Sequence, residues 1–368
     1  MNSKVYFAGV RARSIKDNKQ NRIMSLFDAA GFDEVVQKGD ITAIKIHFGE
    51  RGNDTYVNPI LVRPIAERVR SRGGRPFLTD TNTLYGGGRS NSVDHLQTAA
   101  EHGFTPSVAG APVIIADGLR GDNFREVAID GKHFRHAKIA GEIASSDSMI
   151  VVSHFKAHLP AGFGGAIKNL GMGCAPPLGK AEQHSTRPIF NADLCIGCRS
   201  CMDGCPQGAI AVEKKISAIS YDRCTGCGKC LRVCPTHALD FDWFVEVPPF
   251  MERMTEYGRG AILGKENRVG FFNFLLNITP DCDCVPWSDA PIVPDIGILA
   301  SRDPVAIDQA SYDLVNHQMG ITNSLLERNH DPGKDKFLGV WESTLGNIQI
   351  DYGEKIGLGN KGYDLIEI

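Results

Sequence analysis

The sequence predicts an α/β fold, a mostly parallel sheet with flanking helices, interrupted by a small cysteine-rich α+β insert. Three observations predict it. Short apolar runs alternate with segments of helical periodicity, the pattern of parallel strands joined by helices. The loops after several of those runs are rich in glycine and polar groups, as at the carboxyl ends of strands in open sheets. Eight of the eleven cysteines lie between residues 195 and 234, in two copies of one spacing.

Taken in order, residues 4–10 (KVYFAGV), 41–48 (ITAIKIHF), 76–80 (PFLTD), 113–116 (VIIA), 148–153 (SMIVVS), 268–278 and 295–300 read as buried strands, being apolar runs too short for helices. Helical periodicity covers 21–32, 59–72, 90–103, 249–263 and 304–316. Pro59 and Pro304 stand where a first helical turn accepts proline, and Gly73, Gly74 and Gly103 where a helix stops. Asp130-Gly131 inside EVAIDGKHFRH predicts a hairpin turn. The chain is thus expected to form an α/β domain from residues 1–185 and 246–368, with 186–245 as the insert.

Within the insert the spacing is Cys-x2-Cys-x2-Cys-x3-Cys-Pro, at Cys195, Cys198, Cys201 and Cys205 and again at Cys224, Cys227, Cys230 and Cys234. This is the bacterial ferredoxin signature, in which three thiolates of a run hold one [4Fe-4S] cluster and the fourth reaches the other. The expected ligand sets are Cys195, Cys198, Cys201 with Cys234, and Cys224, Cys227, Cys230 with Cys205, in a ferredoxin-like 2[4Fe-4S] domain. Gly197 and Gly226 suit loops whose backbone N–H groups approach cluster sulfur. Asp193/Asp222, Pro206/Pro235 and Ala209/Ala238 repeat at the same offset, implying a duplication with pseudo-twofold symmetry. Paired zinc sites would gain nothing from the Cys-Pro ending of each run. A disulfide framework would need an oxidising compartment, and MNSKVYFAGVRARSIK has no apolar signal core.

A net charge of −3 leaves no basic footprint for nucleic acid. No apolar run approaches the ~20 residues that span a bilayer. The expected setting is the cytoplasm, with no nucleic-acid or membrane partner.

The segment after the strand at 148–153 reads SHFKAHLPAGFGGAIKNLGMGC. Glycines 162, 164, 165, 171 and 173 are interleaved there with His154, Lys156, His158, Lys168 and Asn169. Such glycine density lets backbone fold around a ligand, and the cations favour an anionic one; a structural turn with solvated lysines is the alternative. Other strand ends supply His47, Glu50, Arg51, Asn53 and Asp54, and Asp80, Asn82, Tyr85 and Arg89, which should face one crevice with the insert beside it. Asp281-Cys282-Asp283-Cys284 follows the strand at 268–278. On an extended backbone both thiols would face one side, as a soft-metal or redox pair, while the aspartates would raise their pKa. Inert thiols fit the same segment, and Cys174 is a candidate to complete such a site.

SHFKAHLPAGFGGAIKNLGMG, the insert, NITPDCDC and SRDPVAIDQA together resemble the family known as domain of unknown function 362, over nearly the whole chain. The stretch from His158 through Ala161, Gly162, Phe163 and Gly165 to Lys168 is similar to a loop of the nickel-pincer lactate racemase family. That likeness implies a catalytic base at His158 and an anchor at Lys168 for a nickel-bearing, nucleotide-type cofactor. The residues themselves point first to an iron-sulfur oxidoreductase. Electrons from a ferredoxin or another low-potential protein would reach an anionic small molecule held by Lys168, Gly164, Gly165, Asn169 and Arg51. His158 or His154 would supply a proton and Asp80 would orient a base, with His47 a further catalytic candidate. An electron-transfer scaffold without chemistry of its own, and a non-redox racemase or isomerase with a nickel-type cofactor, are the alternatives. No flavin or nicotinamide fingerprint occurs, so electrons are expected from a protein.

Overall fold

Seven strands build the central sheet: β1 (Ser3–Gly9), β2 (Ile41–Ile46), β3 (Arg75–Thr79), β4 (Ser148–His154), β5 (Val269–Leu275), β6 (Gly297–Ser301) and β7 (Tyr363–Glu367). The computed structural model describes residues 2–224, 226–242 and 246–368, so the expected boundary at 245 lies outside the described residues. The strand order is β7-β1-β6-β5-β4-β2-β3. Six strands share one direction, and β6 alone runs antiparallel to its neighbours β1 and β5. It can do so because a loop, not a helical crossover, joins β5 to β6. The strand expected at 113–116 is a single bridge from Val113 to Leu78. Ile114 N–H and Ala116 N–H still donate to Leu78 and Asp80 carbonyls, but the chain turns away at 116, which leaves no room for a longer ladder.

Helices α1 (Lys19–Ala29), α2 (Pro59–Ser71), α3 (Ser92–Glu101), α4 (Ala166–Gly171), α5 (Pro177–His184), α6 (Val247–Ile262), α7 (Pro304–Asn316) and α8 (Asn347–Lys355) cover the sheet. Their starts are chemically marked. Asn58 accepts from Ile60 N–H ahead of Pro59, Asn91 from Val93 and Asp94 N–H, and Asp303 from Val305 and Ala306 N–H. Alternation along each strand splits the core in two. Met149, Val151 and Phe271 pack with Ile167, Met254 and Val305 on one face, while Ile150, Val152 and Phe272 pack with Phe27, Val62 and Ile65 on the other. The hairpin forms from Phe124–Ala128 and His136–Ala140, with Asp130 at positive φ in its connection. Among the described residues no helix is long and apolar enough to cross a membrane.

Residues 188–241 form a separate unit with its own small apolar cluster around Ile210, Val212 and Leu239. Pro188–Phe190 pairs with Leu239–Phe241, and Ile210–Glu213 pairs with Ile216–Ile219. Each strand that precedes a cysteine run is thus matched by an equivalent one before the other run. Positive φ recurs at Gly197 and Gly226, Arg199 and Gly228, and Gly208 and His237, so the duplication extends to the backbone.

Candidate functional site

The carboxyl ends of β2, β3 and β4 and the loop after β5 surround a cavity of about 230 Å³. His47, Asp80, Tyr85, Arg89, His154, Lys156, His158, Gly164, Gly165, Lys168, Asn169, Lys180 and Cys284 all line it. Polar groups from separate loops therefore meet because their strands run parallel and end on the same edge.

Its floor is a buried charge network. Lys45, fully buried in β2, donates to Asp80 and to Asn169 Oδ1, both at 2.8 Å. Asn169 in turn donates to Val152 O and Ser153 Oγ. Burial would raise the pKa of Asp80, but Lys45, His47, His95 and Arg89 hold it below the usual carboxylate range. Arg89 donates to Glu50, to Tyr85 Oη at 2.9 Å and faces His47 Nε2 at 3.0 Å. Burial and then Arg89 push the His47 pKa well down. The guanidinium at this cavity is thus Arg89. Arg51 lies apart: it is exposed and pairs with Glu101, because the backbone at Glu50 is tied to Asp283 O and turns the next side chain outward. Asn53 Nδ2 donates to Trp287 O and Asp54 N–H to Ser288 Oγ, so both brace the 287–288 segment rather than the cavity.

Cys282 and Cys284 sit on a turn, not a strand, since Val285 N–H donates back to Cys282 O. Their thiols nonetheless converge with a ring nitrogen of His158, all within 4.8 Å, close enough to share a metal ion. The aspartate between them does not raise both pKa values, because it points away. Asp283 is buried against His154 Nδ1 at 2.8 Å and Lys156 Nζ at 2.9 Å. A hydrogen bond from Cys284 holds the Cys282 pKa well below the thiol range, and Lys168, Lys156 and His158 assist against burial. Cys284 is pushed up by that same bond and by burial. Lys168 Nζ stands 3.4 Å from Cys282 Sγ. Burial, then Lys168, lowers His158 to about 4. His154 is saturated, its other nitrogen facing Leu276 O and Asn277 O, so it positions Asp283 rather than offering a free nitrogen to the cavity. Cys174 is buried away from the pair against Asn169 O, and burial raises it to about 11.

The glycines of the loop mostly press on protein. A Cβ at Gly165 would meet Asp308 Oδ1 at 2.3 Å, at Gly171 Met254 O at 2.3 Å, and at Gly173 Asn169 O at 2.2 Å. Asp308 already accepts from Ala166 and Ile167 N–H, which closes the start of α4 to other anions. Gly164 faces Lys156 and Lys168 instead. Two further cations were missed from sequence. Lys180 contacts Thr81 Oγ1 and Ala175 O, and burial lowers it to about 8 against the pull of Asp117. Lys45 had a visible signal, a lysine inside the apolar run ITAIKI, since an unpaired lysine is almost never fully buried.

In the 188–241 unit lie two small cavities of similar size, about 20 Å³ each. One is lined by Cys195, Cys198, Cys201 and Cys234, the other by Cys205, Cys224, Cys227 and Cys230. Ala209 N–H approaches Cys205 Sγ at 3.3 Å and Ala238 N–H approaches Cys234 Sγ at 3.2 Å, again symmetry mates. A Cβ at Gly197 would collide with Lys214 O and one at Gly226 with Thr186 O, so both turns require glycine. A Cβ at Gly228, beside the second cavity, would meet the Phe241 ring at 2.9 Å and Leu84 Cδ1 at 3.6 Å, so Leu84 of the large cavity lies near this turn.

Among known proteins, the lactate racemase apoprotein from Thermoanaerobacterium thermosaccharolyticum aligns with 12% identity and a TM-score of 0.38, covering 74% of this chain and 51% of that one. The thylakoid-associated protein sll1697 of Synechocystis sp. is 27% identical over 157 residues, 42% of this chain and 45% of that protein. The chain therefore spans less than half the length of this curated relative. The family described as Domain of unknown function (DUF362) matches residues 42–313. That match runs from β2 into α7 and takes in every loop around the large cavity and both cysteine runs, so the chain belongs to the DUF362 family.

Proposed function

We propose that this protein holds two [4Fe-4S] clusters in a ferredoxin-like insert and passes low-potential electrons to an anionic small molecule in the strand-end cavity. The observation that carries the reading is the exchange of cysteines between runs. Each small cavity collects three thiols of one run and the fourth of the other, the sharing that two neighbouring cubanes use. The N–H groups at Ala209 and Ala238 fit too, since donors to sulfur favour the reduced state. Such clusters supply one-electron transfer at low potential. The nearness of Leu84, which lines the large cavity, to Gly228 supports delivery toward that cavity. An anionic guest is supported by Lys168 and Lys180, neither of which has a carboxylate within ion-pair distance among the described residues. Exposed Ile196 lines the first cavity and, with exposed Leu194 two residues before it, suits docking of a ferredoxin or similar donor.

Anaerobic purification with iron and sulfide analysis tests this. About eight of each per chain, with an electron paramagnetic resonance signal on reduction, is the expected outcome. Stoichiometric zinc without sulfide would refute it.

A further inference from the structure

We infer that Cys282 and Cys284 form a redox dithiol that interconverts with a disulfide inside the strand-end cavity, turning single electrons from the insert into a pair. The inference rests on the iron-sulfur reading for its electron source.

The geometry is that of a bond about to close. Both Sγ atoms and a His158 nitrogen lie within 4.8 Å of one another. Residues two apart have Cα atoms at most ~7 Å apart, and a turn brings them closer, into the range a disulfide spans. This turn is fixed at each carbonyl: Cys282 O accepts from Val285 N–H, Asp283 O from Glu50 N–H and Cys284 O from Tyr85 Oη at 3.0 Å. Asp283 is turned out of the way by Lys156 and His154, so no carboxylate stands between the sulfurs.

A metal ion at the same three groups is the rival. The histidine decides between them. His158 Nδ1 accepts from Ala161 N–H at 3.2 Å, which leaves the proton of the neutral ring on Nε2. A ring so arranged donates to sulfur and has no second lone pair for a metal, whereas metal-bound histidines donate from their outer nitrogen. With Lys168 Nζ at 3.4 Å, Cys282 is instead surrounded by donors, the setting of a reactive thiolate.

A short route joins the pair to the insert. Gly228 lines the second four-cysteine cavity, and Leu84 lies near it; the next residue, Tyr85, bonds to Cys284 O. In the oxidising direction the Cys282 thiolate and Cys284 thiol form an S–S bond and release two electrons and one proton. In reverse, two electrons break that bond, arriving singly through the insert from a low-potential electron-transfer protein. The proton for Cys284 comes from the Lys168 ammonium and is regained from solvent, while Cys282 keeps its negative charge beside Lys168.

The test takes the full-length, anaerobically reconstituted protein, oxidises it with diamide, and maps thiols by alkylation and mass spectrometry under denaturing conditions. Cys282 and Cys284 are expected to be joined, protected from alkylation and two hydrogens lighter. Reduced ferredoxin supplying two electrons per chain should abolish the joined form. If both cysteines remain fully alkylated after oxidation while iron and sulfide are intact, the dithiol is refuted and the iron-sulfur reading stands. A stoichiometric metal other than iron that is lost in Cys282→Ser overturns the dithiol in favour of a metal site. A disulfide that forms in protein without iron or sulfide supports the dithiol and defeats the iron-sulfur reading alone.

Discussion

Asp283 organises the strand-end site through its charge. It is completely buried, and its carboxylate meets His154 and Lys156 while its backbone carbonyl takes Glu50 N–H. Burial would raise its pKa, but His154 and Lys156 hold it below the ordinary carboxylate value. A depressed acid stabilises the fold above its unfolded value, and that contribution is lost as pH falls through the folded one. Asp283→Asn should therefore cost about 3–5 kcal/mol in urea unfolding at neutral pH, because it strands a buried cation. The deficit should shrink below pH ~4, where the unfolded wild-type carboxyl is protonated. Lys180 makes a second residue-level prediction. Its pKa of about 8 means that it is cationic at neutral pH and loses that charge as pH rises further. Binding of an anionic probe such as pyrophosphate, followed by calorimetry, should weaken through pH 8, and Lys180→Met should remove that limb. A wild-type affinity unchanged between neutral and alkaline pH would contradict the assignment.

Among the elements, α4 is held by a side chain from α7. Asp308 is buried, accepts from Ala166 N–H at 2.7 Å, Ile167 N–H at 2.9 Å and Asn273 Nδ2 at 2.8 Å, and so replaces the missing cap of a short helix. Asp308→Ala leaves those donors unsatisfied and should lower stability by about 2–3 kcal/mol, read as a shift in the denaturation midpoint. The same contact explains what the sequence could and could not convey. Strands such as SMIVVS and helices beginning at Pro59 and Pro304 were legible because periodicity and capping are local. β7 was not, because YDLIE is a half-exposed edge strand with no apolar run to mark it. The gathering of His47, Asp80 and His158 followed from parallel strand ends. The purpose of the glycines did not, since sequence cannot distinguish a glycine pressed on a ligand from one pressed on Asp308 or Met254 O. Cys282 and Cys284 were legible as a pair, but the direction of their pKa shifts depends on where Asp283 points, and that is set by residues on β4 and just beyond it.

At the scale of the whole molecule, the two four-cysteine cavities are unequal in surroundings despite their symmetry. The first opens beside exposed Leu194, Ile196 and Cys198, whereas the second is flanked by Gly228, near Leu84 of the large cavity. Of the cysteines that line the two cavities, Cys198 of the first is exposed, whereas those of the second are intermediate or buried, so the first is the more outward of the two. If electrons enter at the outer site and leave from the inner one, the two sites fail differently. Cys198→Ala and Cys227→Ala should each retain about half the iron, as one cluster is lost. Both should lose reduction of the Cys282–Cys284 disulfide by a protein donor. A small reductant able to reach the inner site directly should restore that reduction in Cys198→Ala and not in Cys227→Ala. Restoration in Cys227→Ala alone would reverse the order, and equal restoration in both would mean that the route through Gly228, Leu84 and Tyr85 is not the one electrons take.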